Sequence, residues 1–383
     1  MTRPFSASNH MRVGPVLSCL LAAACAAPRI APAISPGSPG HRTRNVVLIV
    51  TDGMRWQEIF RGADSALMHR AHGGVDDTTA LRRQFWRETT AERRTALMPF
   101  LWNFIAQRGL IYGDVDSGSV ATVTNGLKFS YPGYNEMLTG HADPRINSNS
   151  AGPNPNVTVF EWLSHRPGLQ GSEAAFGTWS EFDDIFNRER SGLHVRAGWD
   201  QPFDGTLTPR EALINKLYAT STQFWSDLAW DSFGHVSAMD YLQRHAPHVL
   251  FVGYGETDEW AHMGRYDHYL AAAHQVDAFI ADLWNTMQSM PEYRGSTTFI
   301  ITTDHGRGGG LDSWRDHGQD VEGAEDIWIA VLGPDSPALG ERTRTATVTQ
   351  SQIAATLAAL LGEDYHAAEP QSASPLPDVI RVR

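Results

Sequence analysis

Six residues fall where the chain could do metal chemistry. The apolar run Asn45-Val46-Val47-Leu48-Ile49-Val50 leads into Thr51-Asp52-Gly53. A second run, Val249-Leu250-Phe251-Val252-Gly253, leads into Glu256-Thr257-Asp258-Glu259-Trp260-Ala261-His262. A third, Thr298-Phe299-Ile300-Ile301-Thr302, ends at Thr303-Asp304-His305-Gly306, and Asp316-His317-Gly318 follows. In an open parallel sheet ligands bind beyond the carboxyl ends of the strands, so three strands deliver Asp or His to one edge. A lone strand-end Asp is commonly a helix cap or turn residue. Three such ends, two of them carrying Asp with His, are hard to obtain by capping. Asp258 and His262 are four apart, so a helix there puts both on one face. Asp304 and His305 are adjacent, and in a loop both can turn toward one ion. Asp52, Asp258, His262, Asp304, His305 and His317 thus make a ligand set for two borderline divalent ions, with zinc the best match. Two such ions about 4 Å apart clamp the attacking and leaving oxygens of a phosphoryl transfer.

Continuous apolar strands of this kind belong to a sheet covered on both faces. Ile327 to Leu332 reads as a fourth strand, ended by Gly333-Pro334. Helical spacing appears over Leu97 to Gly109, Tyr269 to Met287 and Gln350 to Leu361. Strand and helix alternation predicts an α/β fold: a mostly parallel, doubly wound sheet with helices on both faces. The Leu and aromatic positions of those helices read as core.

The chain has 383 residues, 42% of them hydrophobic, enough for one large α/β domain or two ordinary ones. Its formal charge of −12 argues against a nucleic-acid or anionic-membrane binder, since both favour a basic face. Sixteen His against two Cys point to imidazole and carboxylate rather than thiol chemistry. Both cysteines, Cys19 and Cys25, lie in a segment (1–27) that reads as a secretory signal: Arg3 and Arg12, then a short apolar run and small residues. The alternative is a lipoprotein signal, with a lipid anchor at Cys25 as the one expected membrane contact. Either way the protein is exported, to a periplasmic or extracellular location. Residues 28–44 are rich in Pro, Ser and Gly and read as a flexible linker, and 366–383 as a flexible tail. The working domain is then 45–365.

In their order these motifs resemble the alkaline phosphatase superfamily, most closely its nucleotide pyrophosphatase/phosphodiesterase type. That pattern runs strand-end Asp, a Ser or Thr nucleophile, Asp-x-x-x-His, Asp-His-Gly and a final His. The matching residues here are Asp52, Ser130, Asp258 with His262, Asp304-His305-Gly306, and His317. The resemblance covers residues 45 to about 335 and implies an alkaline phosphatase-like fold. It also implies that Asp52, Asp304 and His305 hold one metal together with the Ser130 oxygen, and that Asp258, His262 and His317 hold the other. Ser130, in Phe129-Ser130-Tyr131-Pro132-Gly133-Tyr134, matches the family's nucleophile turn. A Ser before a helix is most commonly an N-cap. A hydroxyl at a helix N-terminus and on a divalent ion can also be activated for attack on phosphorus. The resemblance therefore implies hydrolysis of a small phosphorylated substrate, as phosphodiesterase or phosphatase, through a phosphoserine at Ser130.

The flanks bear on the alternatives. Sulfatases of this superfamily carry an Arg four after the residue that becomes formylglycine, whereas Tyr134 stands there. Phosphoglycerate mutases insert a separate domain between nucleophile and second metal motif, whereas Ala151 to His248 reads as ordinary strand and helix. A non-catalytic metal or phosphate binder remains a third class, disfavoured because Ser130 and all six ligands are present. An Asn some twenty residues after the nucleophile serves phosphoryl oxygens in the phosphodiesterase type. Asn149 and Asn147 fall near that offset, and Arg145 could instead contact a dianionic monoester. Asp267, His268, His274 and Asp277 read as helix-surface or hydrogen-bonded core groups. Trp56, Trp260 and Tyr134 are aromatic candidates for the leaving-group side.

Overall fold

The computed structural model describes residues 41–381. The expected signal and most of the linker lie outside the described residues. The strands are β1 (Asn45–Thr51), β2 (Leu110–Tyr112), β3 (Ala121–Thr122), β4 (Glu173–Gly177), β5 (His194–Ala197), β6 (Val249–Tyr254), β7 (Thr297–Thr302), β8 (Asp326–Ile327), β9 (Ile329–Leu332), β10 (Gly340–Glu341) and β11 (Val348–Thr349). Eight form one sheet in the order β10-β2-β9-β7-β1-β6-β4-β5. Its block β7-β1-β6-β4-β5 is parallel throughout. β9 runs antiparallel to both β7 and β2, so the sheet is mixed at that side. β11, β3 and β8 make a separate small sheet.

Every residue of β1 is buried, as a continuous apolar run requires. Its side chains alternate between two cores, because successive Cβ atoms leave opposite faces of a strand. Val47 and Ile49 pack with Leu270, Ala273 and Val276 of the long helix Tyr266–Ser289. Val46, Leu48 and Val50 pack with Tyr131, Tyr134, Leu357 and Ala358, from the helices Ser130–Thr139 and Gln352–Leu360. Each fully buried aliphatic side chain is worth about 1.5–3 kcal/mol, so burial on both faces anchors the central strands that carry the site.

Three sequence expectations need amending. The run 327–332 is not one strand. It breaks at buried Trp328, whose Nε1 donates to Met54 O (3.1 Å), leaving Ile327 in the small sheet and Ile329–Leu332 in the large one. Residues 366–381 are not a loose tail. Leu376 and Val379 are buried in the second core, Leu376 N donates to Thr356 Oγ1 (2.7 Å), and Tyr112 OH donates to Pro377 O (2.6 Å). Two apolar anchors suffice to dock a Pro- and Ser-rich segment. At the linker's end, Arg42 N and Thr43 N donate to Asp335 Oδ2 (2.7 and 2.6 Å), tying residues 42 and 43 down. The span 151–248 contributes β4 and β5 to the main sheet, with the small satellite cluster of Phe203, Ile214, Tyr218 and Ala229 beside it, and forms no separate inserted layer.

Candidate active site

β7, β1 and β6 are immediate neighbours and point the same way, so their carboxyl ends form one edge. Asp52 leaves β1, the helix Glu256–His262 begins two residues past β6, and Asp304-His305 leaves β7. Two clusters of ligand atoms result. Asp52, Asp304 and His305 offer atoms within 4.8 Å of one another, as do Asp258, His305 and His317. His262 joins the second: its Nε2 lies 3.1 Å from Asp258 Oδ2 and 3.0 Å from His317 Nε2. His305 sits between the clusters, 3.4 Å from Asp52 Oδ1, 3.5 Å from Asp304 Oδ2 and 3.7 Å from Asp258 Oδ1. All six expected ligands therefore converge. His305 Nε2 lies within reach of both groups.

The atoms fit cations. Asp52 Oδ1 and Asp304 Oδ2 are buried and have no hydrogen-bond partner. Such orphan carboxylate oxygens are costly unless a ligand satisfies them. His305 Nδ1 donates to Gly306 O (2.9 Å) and His317 Nδ1 to Lys128 O (3.3 Å). Since carbonyls only accept, both Nε2 atoms present lone pairs to the site, the usual arrangement of a ligating imidazole. Burial first, then the charges of Asp304 and Asp258, pushes the Asp52 carboxyl well above its ordinary range. Burial chiefly raises Asp304 to about 7. Burial and the neighbouring His305 push His317 down to about 2. Crowded carboxylates that resist ionising, and an imidazole that resists protonation, are both relieved by a divalent ion.

Ser130 is the first residue of the helix Ser130–Thr139, and it does not act as a cap. Phe129 occupies the cap position, with no side-chain hydrogen bond. The Ser130 hydroxyl lies 3.4 Å from His305 Nε2. Behind it Glu136 anchors the preceding loop, accepting from Thr124 N and Asn125 N (2.9 Å each) and from Ser351 N (3.2 Å). Gly133 lets this helix approach: a Cβ there would stand 2.3 Å from Asp304 O. Gly53, at φ +57°, makes the turn after Asp52, and a Cβ there would lie 2.6 Å from Asp258 Oδ1.

Asn149 is brought in. Its Oδ1 accepts from Tyr131 N (3.0 Å), leaving the amide nitrogen for the cavity that Asn149 helps to line. Asn147 is exposed and lines no part of that cavity. Arg145 also lies apart: it is 64% exposed and pairs with Asp143 (2.5 Å) and Asn156 Oδ1 (2.8 Å). The Asp-x-Arg spacing makes that local fork, which the sequence reading overlooked. The cavity holds about 230 Å³, with Asp52, Ser130, Asp258, His262 and His317 at its base.

Four contributing residues escaped the sequence reading. Arg307, wholly buried, holds the Asp258 carboxylate and donates from Nε to Gly53 O (3.0 Å), joining two ligand loops. Its place two residues after His305 was the available signal. Gln350 Nε2 donates to Asp304 O (2.6 Å) from far along the chain, with no local cue. Thr257 Oγ1 donates to Asp52 O (2.5 Å) and Thr303 Oγ1 accepts from Met54 N (3.1 Å), both beside ligands in sequence. Tyr134, expected on the leaving-group side, is instead buried and donates to Asp52 Oδ2 (3.1 Å). Trp56 is core, and Trp260 Nε1 bonds Glu256 Oε2 (3.2 Å) outside the cavity lining. Asp277 and His274 have the plain roles expected. Asp277 accepts from Phe100 N and Leu101 N (2.7 and 2.9 Å), and His274 Nδ1 donates to Leu97 O (2.7 Å).

No protein-family model matches the sequence, and neither does any curated protein. Solved structures do match the fold. Wild-type alkaline phosphatase PafA superposes with a TM-score of 0.56 at 10% identity, over 90% of this chain and 100% of that one. Phosphonate monoester hydrolase of Agrobacterium radiobacter does so with a TM-score of 0.51 at 13% identity, over 87% and 78%. A 2-O GAG sulfatase matches with a TM-score of 0.50 at 14% identity, over 87% and 73%. At such identities the likeness is one of fold. Together with the mixed α/β sheet and its strand-end Asp and His residues, it establishes that this chain has the alkaline phosphatase-like fold.

Proposed function

We propose that the chain is a metal-dependent hydrolase of phosphate esters, of the phosphodiesterase or phosphatase kind, acting through a phosphoserine at Ser130. One observation carries this reading: a buried serine hydroxyl, free of capping duty, 3.4 Å from the His305 nitrogen shared by both ligand clusters. Asp52, Asp304 and His305 would hold one divalent ion, and Asp258, His262 and His317 the other, with zinc our choice for mixed nitrogen and oxygen donors. When bound, such ions supply Lewis acidity toward the attacking and leaving oxygens. The protein's own share is positioning. The helix presents Ser130 Oγ, Asn149 offers its amide to a non-bridging phosphoryl oxygen, and Tyr134 with Arg307 fixes the carboxylates of Asp52 and Asp258.

The cavity lining contains no Lys or Arg. A singly charged diester needs less positive charge around it than a dianionic monoester, which favours the diester. A formylglycine sulfatase is disfavoured because Tyr134, at the position of the sulfatase Arg, is buried against Asp52. For the chain's surroundings we retain the export reading, with a lipid anchor at Cys25 as the alternative. No helix of the described residues is long and apolar enough to cross a membrane.

The test is to compare hydrolysis of aryl phosphate monoesters, diesters and sulfates by the wild type and by Ser130→Ala, with elemental analysis of both. The reading expects two metal ions per chain in each protein, diesters favoured, and turnover lowered by about 10³-fold or more in the variant. Undiminished turnover in Ser130→Ala, or full activity without metal, would overturn it.

A further inference from the structure

The helix Glu256–His262 carries two of the six expected ligands, yet little in its own sequence holds it in place. Seven residues are too few for an independently stable helix, so its order must come from outside. Of its apolar side chains Ala261 alone is buried, and Trp260 is partly so. The usual local cap is missing as well. Gly255 stands at the N-cap position and has no side chain to accept from the first-turn amides. Buried Leu228 accounts for that glycine: a Cβ at position 255 would lie 2.2 Å from Leu228 Cδ1.

The cap comes from another helix. Asp231 is the first residue of the helix Asp231–His245 and is only 2% exposed. Its Oδ1 accepts from Gly255 N (2.8 Å) and its Oδ2 from Glu256 N (3.2 Å). Thr178, just past β4, donates its hydroxyl to Asp231 Oδ1 (3.0 Å) and accepts from Gly255 N (3.0 Å), closing the cluster. The arrangement is reciprocal. Trp230, at the N-cap position of the Asp231 helix, makes no side-chain cap, and Asp231 N donates instead to Glu256 Oε1 (2.8 Å). Each helix thus supplies the cap that the other's own N-cap residue lacks. A carboxylate at a helix N-terminus also has the favourable sign for the peptide dipoles there. Asp258 lies in the first turn of the capped helix and His262 at its end, so a shift of that turn moves both ligands together.

We propose that Asp231 is a positioning residue for the cation expected at Asp258, His262 and His317. It fixes the helix that presents Asp258 and His262 and does not itself line the cavity. The inference rests on the two-cation reading. Asp231 moves no proton and touches no substrate in this role: it acts only through the backbone amides of Gly255 and Glu256.

Zinc competition titrations and amide hydrogen exchange on the full-length protein test this. In Asp231→Ala one of the two zinc ions should bind roughly tenfold more weakly or worse, while the other stays within about threefold of the wild type. Asp231→Asn keeps one oxygen for Gly255 N and should recover part of the loss, leaving the same ion weaker by roughly threefold. In the metal-free protein, amides 255–262 should exchange several-fold faster in Asp231→Ala than in the wild type, with Asp231→Asn between the two. Thr208→Ala is the control. It removes the cap of the helix Pro209–Thr220, which holds no expected ligand, and should leave both ions within about twofold of the wild type. If Asp231→Ala does not fold, the Asn variant decides by the same titration. Asp231 variants that bind both ions as the wild type does, or a Thr208→Ala that weakens zinc as much as they do, would overturn the proposal while the two-cation reading stands. A wild type that takes up no zinc would overturn the two-cation reading, and this role for Asp231 with it.

Discussion

Replacing Asp304 by Asn should affect the metal-free and metal-loaded proteins in opposite directions. Asp304 is wholly buried, its Oδ1 accepts from Gly53 N (3.0 Å), and its Oδ2 has no partner. Burial raises its pKa to about 7, against about 4 in an unfolded chain. Between about pH 4 and 7 the metal-free native state therefore holds a proton that the unfolded state has released. Its stability falls as pH rises through that window and stays low above it. Three pK units at about 1.4 kcal/mol each come to about 4 kcal/mol, a large share of a typical domain's stability. Asn has nearly the same shape, keeps a carbonyl for Gly53 N and carries no charge. At pH 8 in excess chelator, Asp304→Asn should be more stable than the wild type by up to about 4 kcal/mol, and at pH 5 the gap should shrink to about 1.4 kcal/mol. With saturating zinc the order should reverse, because an amide is the poorer ligand and the stabilisation from bound ion shrinks with affinity. Urea unfolding followed by tryptophan fluorescence, at both pH values and with either chelator or zinc, reads all four cases. A variant less stable than the wild type in chelator at pH 8, or a difference that ignores pH, would refute the reasoning.

Two further outcomes follow from particular contacts. Asn149→Ala should lower kcat by about 10²-fold, the usual cost of losing one preorganised donor, while Asn147→Ala stays within about twofold, as steady-state kinetics would reveal. Gly133→Ala puts a methyl group 2.3 Å from Asp304 O, so the Ser130 helix must back away. Unfolding midpoints should drop by the equivalent of about 1–3 kcal/mol and turnover by tenfold or more, despite the better helix propensity of Ala.

The legible part of the site lies at the ends of the longest apolar strands. Asp52, Asp304 and His305 follow short apolar runs that read as buried strands, and Asp258 with His262 needed one helical turn to coincide. β4 and β5 were not singled out. Glu173–Gly177 is rich in Ala and ends on Gly, and it is buried because β6 covers one edge and β5 the other. Tertiary pairing decided that strand, whatever its own propensity. Arg307 and Gln350 act on ligands that are close in space, through bonds that no periodicity announces. The pairing of residues 178–180 with 227–229, which lines one side of the cavity, is invisible along the chain. Docking of the tail rests on two buried apolar residues, Leu376 and Val379, and on hydrogen bonds such as Leu376 N to Thr356 Oγ1, too few apolar residues to register against the Pro and Ser around them.

The central claim is that Ser130 is the nucleophile of a two-cation phosphoryl transfer. Acid-quenched mass spectrometry of the Ser130 peptide during turnover of a phosphate ester tests it most directly. The account predicts a phosphoryl group on Ser130 that appears with substrate and disappears when chelator is added beforehand. Steady turnover with Ser130 never modified, in metal-loaded protein, would contradict it.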